Sequence, residues 1–309
     1  MQTLISNIKQ EVAKVIIAQD EMIEGLLIAL VCEGHILVEG VPGLAKTSTI
    51  KALSTAIDLD FKRVQFTPDL LPSDILGAQI YDPSSNSFKI KKGPIFTNLL
   101  LADEINRSPS KVQSALLEAM QERQVTIGDK SFEVGYPFMV MATQNPLEQE
   151  GVYRLPEAQL DRFMFKILIK HNEYDDELEI MRRIANQTAK EITTLSISII
   201  GELKEIKLKI KNIYIDPKIE KYILDIIRAT REENSNITYG ASPRASIDLY
   251  KASKAKALID GKNFVSPSDV VSMAYLVLRH RIGLSYQAQA QKIEADDILK
   301  DIIKNIPIP

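Results

Sequence analysis

Apolar and polar positions divide the 309-residue chain into two stretches of different rhythm. In the first, short apolar runs recur: "HILVE" (35–39), "FKRVQF" (61–66), "NLLLAD" (98–103), "FMVMAT" (138–143) and "FMFKILI" (163–169). Most are separated by stretches with helical spacing, such as "SKVQSALLEAMQER" (110–123). Strands alternating with helices predict an α/β fold, a mostly parallel sheet with helices on both faces. A run such as "NLLLAD" suits a strand buried on both sides. The opening "MQTLISNIKQEVAKVI" sets Leu4, Ile8, Val12 and Val15 at helical intervals and predicts an amphipathic helix.

Two segments break the alternation. Residues 67–97 carry four prolines and short alternating pieces around "DPSSNS", which predicts a hairpin insertion. "RQVTIGDKSFEVG" (123–135) predicts a second hairpin with Gly128 and Asp129 at its turn. Past about residue 172 the rhythm becomes helical throughout, in "NEYDDELEIMRRIANQ", "IEKYILDIIRATREEN", "ASPRASIDLYKASKAKALIDG" and "SPSDVVSMAYLVLRHRI". Ser266 followed by Pro267 is a helix start, because proline's fixed φ and missing N–H suit the first helical position. The expectation is an α/β domain over 1–172 and an all-helical domain over 173–309.

Composition adds exclusions. Apolar residues at 45% and charged residues at 26% describe an ordinary globular chain. A net charge of -3 provides no bulk attraction for nucleic acid. The single cysteine, Cys32, allows no intrachain disulfide, and its place in "LLIALVCEG" predicts a small core residue. The longest apolar region is interrupted by Glu24, Gly25, Glu33 and Gly34, too often to span a bilayer. A soluble cytoplasmic protein without membrane insertion is expected. His35, His171 and His280 are scattered, so they read as structural and no zinc site is expected. No G-x-S-x-G occurs to suggest a hydrolytic triad.

The candidate chemistry starts in "HILVEGVPGLAKTSTI" (35–50), where a strand runs through a glycine-rich loop into a helix. Backbone amides converging at a helix N-terminus hold phosphate. Gly40 and Gly43 give the loop freedom, and Val41, Pro42, Leu44, Ala45 and Ser48 complete the predicted cradle. Lys46 would reach the terminal phosphates and the Thr47 hydroxyl would ligate Mg²⁺. Ala45 stands where the usual spacing has glycine, which a helical backbone would tolerate. The alternative is a Gly/Pro turn before an ordinary helix. A second element, "NLLLADEINR", ends a buried strand on Asp103 and Glu104, at the edge where such sheets bind ligands. Asp103 can hold Mg²⁺ through water and Glu104 can orient or deprotonate a water. A third, "FMVMATQNP", puts Asn145 just past another buried strand, where its amide can position water or touch a phosphate; an Asn-Pro turn is the plainer alternative.

Taken together, "EGVPGLAKT", "LLADEINRSPSKVQSALLEAMQE", "MATQNPLEQEGVYRLPEAQLDRF" and "YGASPRA" resemble the MoxR family of AAA+ ATPases, in that family's order and over nearly the whole chain. The family itself usually carries alanine before the lysine. The resemblance implies a P-loop core whose five parallel strands run in the order 5-1-4-3-2, with a helical lid. It implies Lys46 and Thr47 as Walker A, Asp103 and Glu104 as Walker B, and Asn145 as sensor 1. Arg162 falls at the arginine finger, acting on a neighbour's ATP, and Arg244 at sensor 2, reaching the γ-phosphate from the lid. The two hairpins match the family's inserts. "VIIAQDEM" matches its adenine-side segment with Ala18 in place of glycine, which makes Ile16 and Ile17 candidates for base contact. ATP and Mg²⁺ follow as ligands. A homo-oligomer follows too, a hexameric ring acting as a chaperone on von Willebrand A domain or metalloenzyme clients. Arg154, where relatives often have proline, reads as a solvated side chain, with a second trans-acting arginine as the alternative, and Arg107 and Arg123 read as surface salt bridges. Two other classes compete: a nucleic-acid motor, invited only by the lysines of "SFKIKKGP" (87–94), and a nucleotide-gated binding module that turns over little.

Overall fold

The computed structural model describes residues 2–41, 43–146, 152–186, 191–195 and 199–309, so Pro42 of the predicted cradle lies outside the described residues. Five of the predicted runs are strands: β1 (Ile36–Glu39), β2 (Phe61–Gln65), β3 (Leu99–Asp103), β4 (Met139–Gln144) and β5 (Phe165–Leu168). All pair in parallel, in the order β2-β3-β4-β1-β5. That is the expected 5-1-4-3-2 read from the other edge.

Successive strand residues point to opposite faces, so a strand covered twice needs an apolar residue at every position. Leu37, Leu100, Val140 and Ala142 join one apolar cluster, closed by Leu116 and Leu117 of the helix Ser110–Glu122. Ile36, Val38, Leu99, Leu101, Met139 and Met141 join the other, closed by Ile50 and Leu53 of the helix Lys46–Ala56. All of these are fully or almost fully buried, and each of them larger than alanine contributes roughly 1.5–3 kcal/mol relative to exposure. The edge strand β2 instead exposes Lys62 and Arg63, which discourages pairing with another chain. Register aligns the carboxyl ends: Glu39 lies opposite Gln144 and Leu168, and Gln65 opposite Asp103.

Both predicted hairpins form, Gly77–Asp82 with Ser87–Lys92 and Gln124–Ile127 with Lys130–Glu133. Gly128 turns the second with φ 61°, and a Cβ there would run into Gln79 of the first, so the two hairpins touch.

The helices Pro217–Ala229, Pro243–Ile259 and Pro267–Leu278 each begin with proline behind a capping Asp216, Ser242 or Ser266. Ser266 and Asp269 cap reciprocally, and the Ser266 amide donates to Asp269 at 2.8 Å. Ile223, Leu249 and Val277 of these helices share one apolar cluster with Leu26 and Leu53 of the α/β part. The helical part also carries a short antiparallel pairing of Ile237–Tyr239 with Gly283–Leu284, which the helical rhythm did not suggest. At the other end the first helix stops at Ala13, so Val15 of the predicted apolar stripe is 39% exposed. Cys32 donates weakly to the Lys251 carbonyl, and burial pushes its thiol up to about 12. Among the described residues no helix is long and apolar enough to cross a membrane.

Candidate functional site

β1 delivers the chain into the predicted phosphate loop. Its two glycines serve different ends. At Gly40 a Cβ would press within 3.1 Å of the Ile169 carbonyl, so this glycine permits close approach to the segment after β5. At Gly43 nothing lies within 4 Å, but φ is 89°, so that glycine supplies conformation. Ala45 corrects the expectation of an ordinary helical backbone. It is left-handed, with φ 53° and ψ 17°, a geometry costing a Cβ-bearing residue about 1–2 kcal/mol. The turn starts the helix Lys46–Ala56 without a capping side chain and without an acidic residue in its first turn. Its first amides are thus left to the loop, as an anion site requires. Lys46 folds back and donates from Nζ to the Gly40 carbonyl at 2.6 Å. Val41, Leu44, Thr47 and Ser48 flank it in the same strand-loop-helix turn.

At the end of β3 the acid pair is held from three directions. Asp103 accepts from Thr143 Oγ1 at 2.5 Å through one oxygen and from Arg63 Nε and Nη2, at 3.0 and 2.7 Å, through the other. Glu104 is itself left-handed, with φ 56°. Its amide donates to Thr143 Oγ1 at 2.9 Å, while its carboxylate accepts from Gln65 Nε2 at 2.7 Å and Arg107 Nη1 at 2.9 Å. The Thr143 hydroxyl therefore ties both acids to β4. Arg107 makes the salt bridge expected of it, and Arg123 pairs with Glu33.

Asn145 follows β4 and is only 6% exposed. With Glu39, Asn106, Arg154 and Lys166 it lines a cavity of about 520 Å³ beyond the carboxyl ends of β1 and β4. Glu39 and Lys166 bridge at 2.8 Å on its wall, and Arg154 is exposed at its margin. Asn106 Oδ1 is buried there without a hydrogen-bond partner among the described residues.

The two other arginines stand elsewhere. Arg162 and Arg244 line a cavity of about 310 Å³ with Glu33, His35, Arg123 and Lys251, at the amino end of β1. No hydrogen bond or ion pair joins the Arg162 guanidinium to a described residue, and Arg244 lies 4.0 Å from Asp161. Within one copy Arg244 therefore stands at the end of the sheet opposite the loop. The four residues of β1 separate the two ends of the sheet by roughly 10 Å before the loop is counted, and Arg244 lies beside Asp161 at the far end.

The adenine-side candidates also differ from each other. Ile16 is packed in the core at 4% exposure, whereas Ile17 stays half-buried. Between them and Gln19, Ala18 is left-handed with φ 56°, and Gln19 donates to Asn172 at 3.3 Å. His35 lies beneath the amino end of the sheet. The Val140 amide donates to its Nδ1 at 3.0 Å, so the proton sits on Nε2, facing the Met120 carbonyl at 3.1 Å. Burial lowers its pKa to about 4. His280 is likewise buried, 2.9 Å from the Phe163 carbonyl, and burial lowers its pKa too.

Gln65, Arg63 and Thr143 were not singled out in the sequence. Each is a polar side chain on a strand of the sheet, near its carboxyl end, which is a readable signal only once those ends are known to converge.

The comparisons with known proteins agree with this architecture. Residues 35–165 match the model of the ATPase family associated with various cellular activities (AAA), and residues 228–302 match the AAA lid domain. The chain is 42% identical to Chaperone MoxR1 of Mycobacterium tuberculosis over 97% of its own length and 81% of that relative's. It is 40% identical to the uncharacterized protein YeaC of Bacillus subtilis, covering 99% of this chain and 95% of that one. A crystal structure from Cytophaga hutchinsonii, named for an assigned ATPase activity, superposes with a TM-score of 0.90 at 46% identity, covering 100% of this chain and 96% of that one.

Proposed function

The chain belongs to the MoxR family of AAA+ ATPases, and from that premise we propose that it hydrolyses ATP at a site shared by two adjacent copies. One observation carries the reading. The loop, Lys46 and the acid pair lie at the carboxyl end of the sheet, while Arg162 and Arg244 stand at its amino end. A copy that offers its amino-end arginines to the next copy's loop makes a head-to-tail contact, and such contacts close into a ring when the rotation between copies closes. Six copies are what the family resemblance implies.

In this reading the loop amides and Lys46 hold the phosphates, and Lys46 exchanges the Gly40 carbonyl for a phosphate oxygen. Glu104 directs a water in line with the leaving oxygen. Asn145 steadies that water from the end of β4. Thr47 and Asp103 fit Mg²⁺: a hydroxyl and one carboxylate are hard oxygen donors. Mg²⁺ is ordinarily bound through one or two protein oxygens, and these two side chains would supply them. Bound there, Mg²⁺ would supply charge neutralisation at the phosphates. Arg162 and Arg244 of the adjoining copy add positive charge where it develops. Ile17 and the Ala18 turn flank the base.

The work done is proposed to be chaperone-like, in keeping with the name of the Mycobacterium tuberculosis relative, on clients with von Willebrand A domains or metal cofactors. Phosphate release per subunit measured against protein concentration tests the shared site. Specific activity is expected to rise with concentration, and Arg162→Ala to lower it by on the order of 10³-fold or more. A concentration-independent rate that survives Arg162→Ala would sink the reading. Capture of clients on the Glu104→Gln form tests the chaperone role.

A further inference from the structure

The segment carrying Arg162 is held by a buried cation that belongs to the helical part. Arg281 has a side chain only 1% exposed. Its Nη2 donates to the carbonyls of Asp161 at 3.0 Å and Phe163 at 2.9 Å, the residues on either side of Arg162. Its Nε donates to the Asp161 carboxylate at 2.9 Å, its Nη2 to the Asp248 carboxylate at 2.6 Å, and its Nη1 to the Val277 carbonyl at 3.2 Å. Binding both flanking carbonyls fixes the backbone through residue 162, and with it the direction in which that side chain leaves.

The same cluster holds the second arginine. The Asp161 carboxylate accepts from Ser242 Oγ, at 2.9 Å to each oxygen, and lies 4.0 Å from Arg244. Ser242 caps the helix Pro243–Ile259, which carries Arg244 in its first turn and Asp248 one turn later. One guanidinium thus clamps the approach to β5 and the start of that helix through two carboxylates. Lysine, a single point donor, could not reach two carbonyls and two carboxylates in one plane.

We propose that Arg281 is a positioning residue that sets Arg162 and Arg244 side by side for use by a neighbouring copy. The inference rests on the shared-site reading above, and it predicts that loss of Arg281 damages only the arginine-donating side of a subunit. A chain with Arg281→Met keeps a working loop and acid pair.

Mixing variants separates the two sides. Glu104→Gln, Arg162→Ala and Arg281→Met are each expected to release little phosphate alone while binding a fluorescent ATP analogue. Glu104→Gln mixed with Arg162→Ala in equal amounts pairs an intact loop with an intact arginine at about a quarter of interfaces, so roughly a quarter of wild-type activity returns. Arg281→Met in place of Arg162→Ala is expected to restore the same share. If the first mixture recovers and the second does not, or if Arg281→Met alone turns over like wild type, Arg281 is only a structural clamp and the inference falls. If neither mixture recovers, the shared site itself falls. Should Arg281→Met fail to fold by circular dichroism and nucleotide binding, Asp248→Asn loosens the same clamp and is judged by the same outcomes.

Discussion

The side-chain amide of Gln65 donates to the carboxylate of Glu104 at 2.7 Å, from the end of β2 to the end of β3. With Arg107 on the same carboxylate oxygen, it draws the proposed water-directing group toward the β2 side. Removing one of two restraints eases its release. Gln65→Ala is expected to raise unstimulated phosphate release by a few-fold with ATP affinity unchanged, whereas Glu104→Gln lowers turnover by about 10²–10⁴-fold. Single-turnover rates set beside ATP binding distinguish these. A Gln65→Ala enzyme that loses rate and affinity together would place Gln65 in binding instead.

Thr143 joins the two acids through one oxygen, donating to Asp103 and accepting from the Glu104 amide. Thr143→Val keeps the shape and removes both bonds. It is expected to lower kcat about tenfold or more, each lost hydrogen bond to a charged or buried group being worth on the order of 1.5–3 kcal/mol. Thr143→Ser should retain most of the rate. Equal losses in both variants would mean that packing of the methyl, not the hydroxyl, matters.

Ala45 and Ala18 both carry a Cβ in left-handed backbone. Glycine relieves the clash at some cost in chain entropy. Ala45→Gly and Ala18→Gly are each expected to raise stability by up to about 1 kcal/mol, read as a higher urea midpoint at constant slope. Gly43→Ala should do the opposite, since φ is 89° there. An Ala45→Gly chain that unfolds earlier would show that the methyl packs usefully.

His35 is held neutral by burial, with its pKa lowered to about 4 from an ordinary 6.5. The unfolded chain therefore binds an extra proton between those values. Stability is complete above about pH 6.5 and is lost as pH falls toward 4, by at most about 3 kcal/mol from this group. His280, also buried and lowered, adds to the same slope. His35→Gln is expected to flatten the urea midpoint between pH 7 and 5, where carboxylates remain ionised. An unchanged slope would assign the pH dependence elsewhere.

Much of this was legible in the linear chain because the forces involved are local or repetitive. "NLLLAD" and "FMVMAT" had to be buried on both faces, since no polar residue interrupts them before the strand ends. Ser266-Pro267 announced a helix by its own stereochemistry. The loop after β1 and the Asp103–Glu104 pair could be picked out as candidates because each is a few adjacent residues. The strand order came with the family resemblance, not from periodicity.

Tertiary structure decided what depends on residues far apart. Asp103 meets Arg63 and Thr143, each 40 positions away, only because the register of β2, β3 and β4 brings their ends into line. Arg281 reaches Asp161 across 120 positions, and nothing in "YLVLRHRI" sets it apart from Arg279 two residues before. The left-handed backbone of Ala45 was not readable for the same reason: composition says which groups exist, but chain direction and sheet geometry say where they point. Sequence determined which segments must be buried and which turns must form. Folding alone decided that the cradle and the two arginines sit at opposite ends of one parallel sheet, because parallel strands put all their carboxyl ends on a single edge.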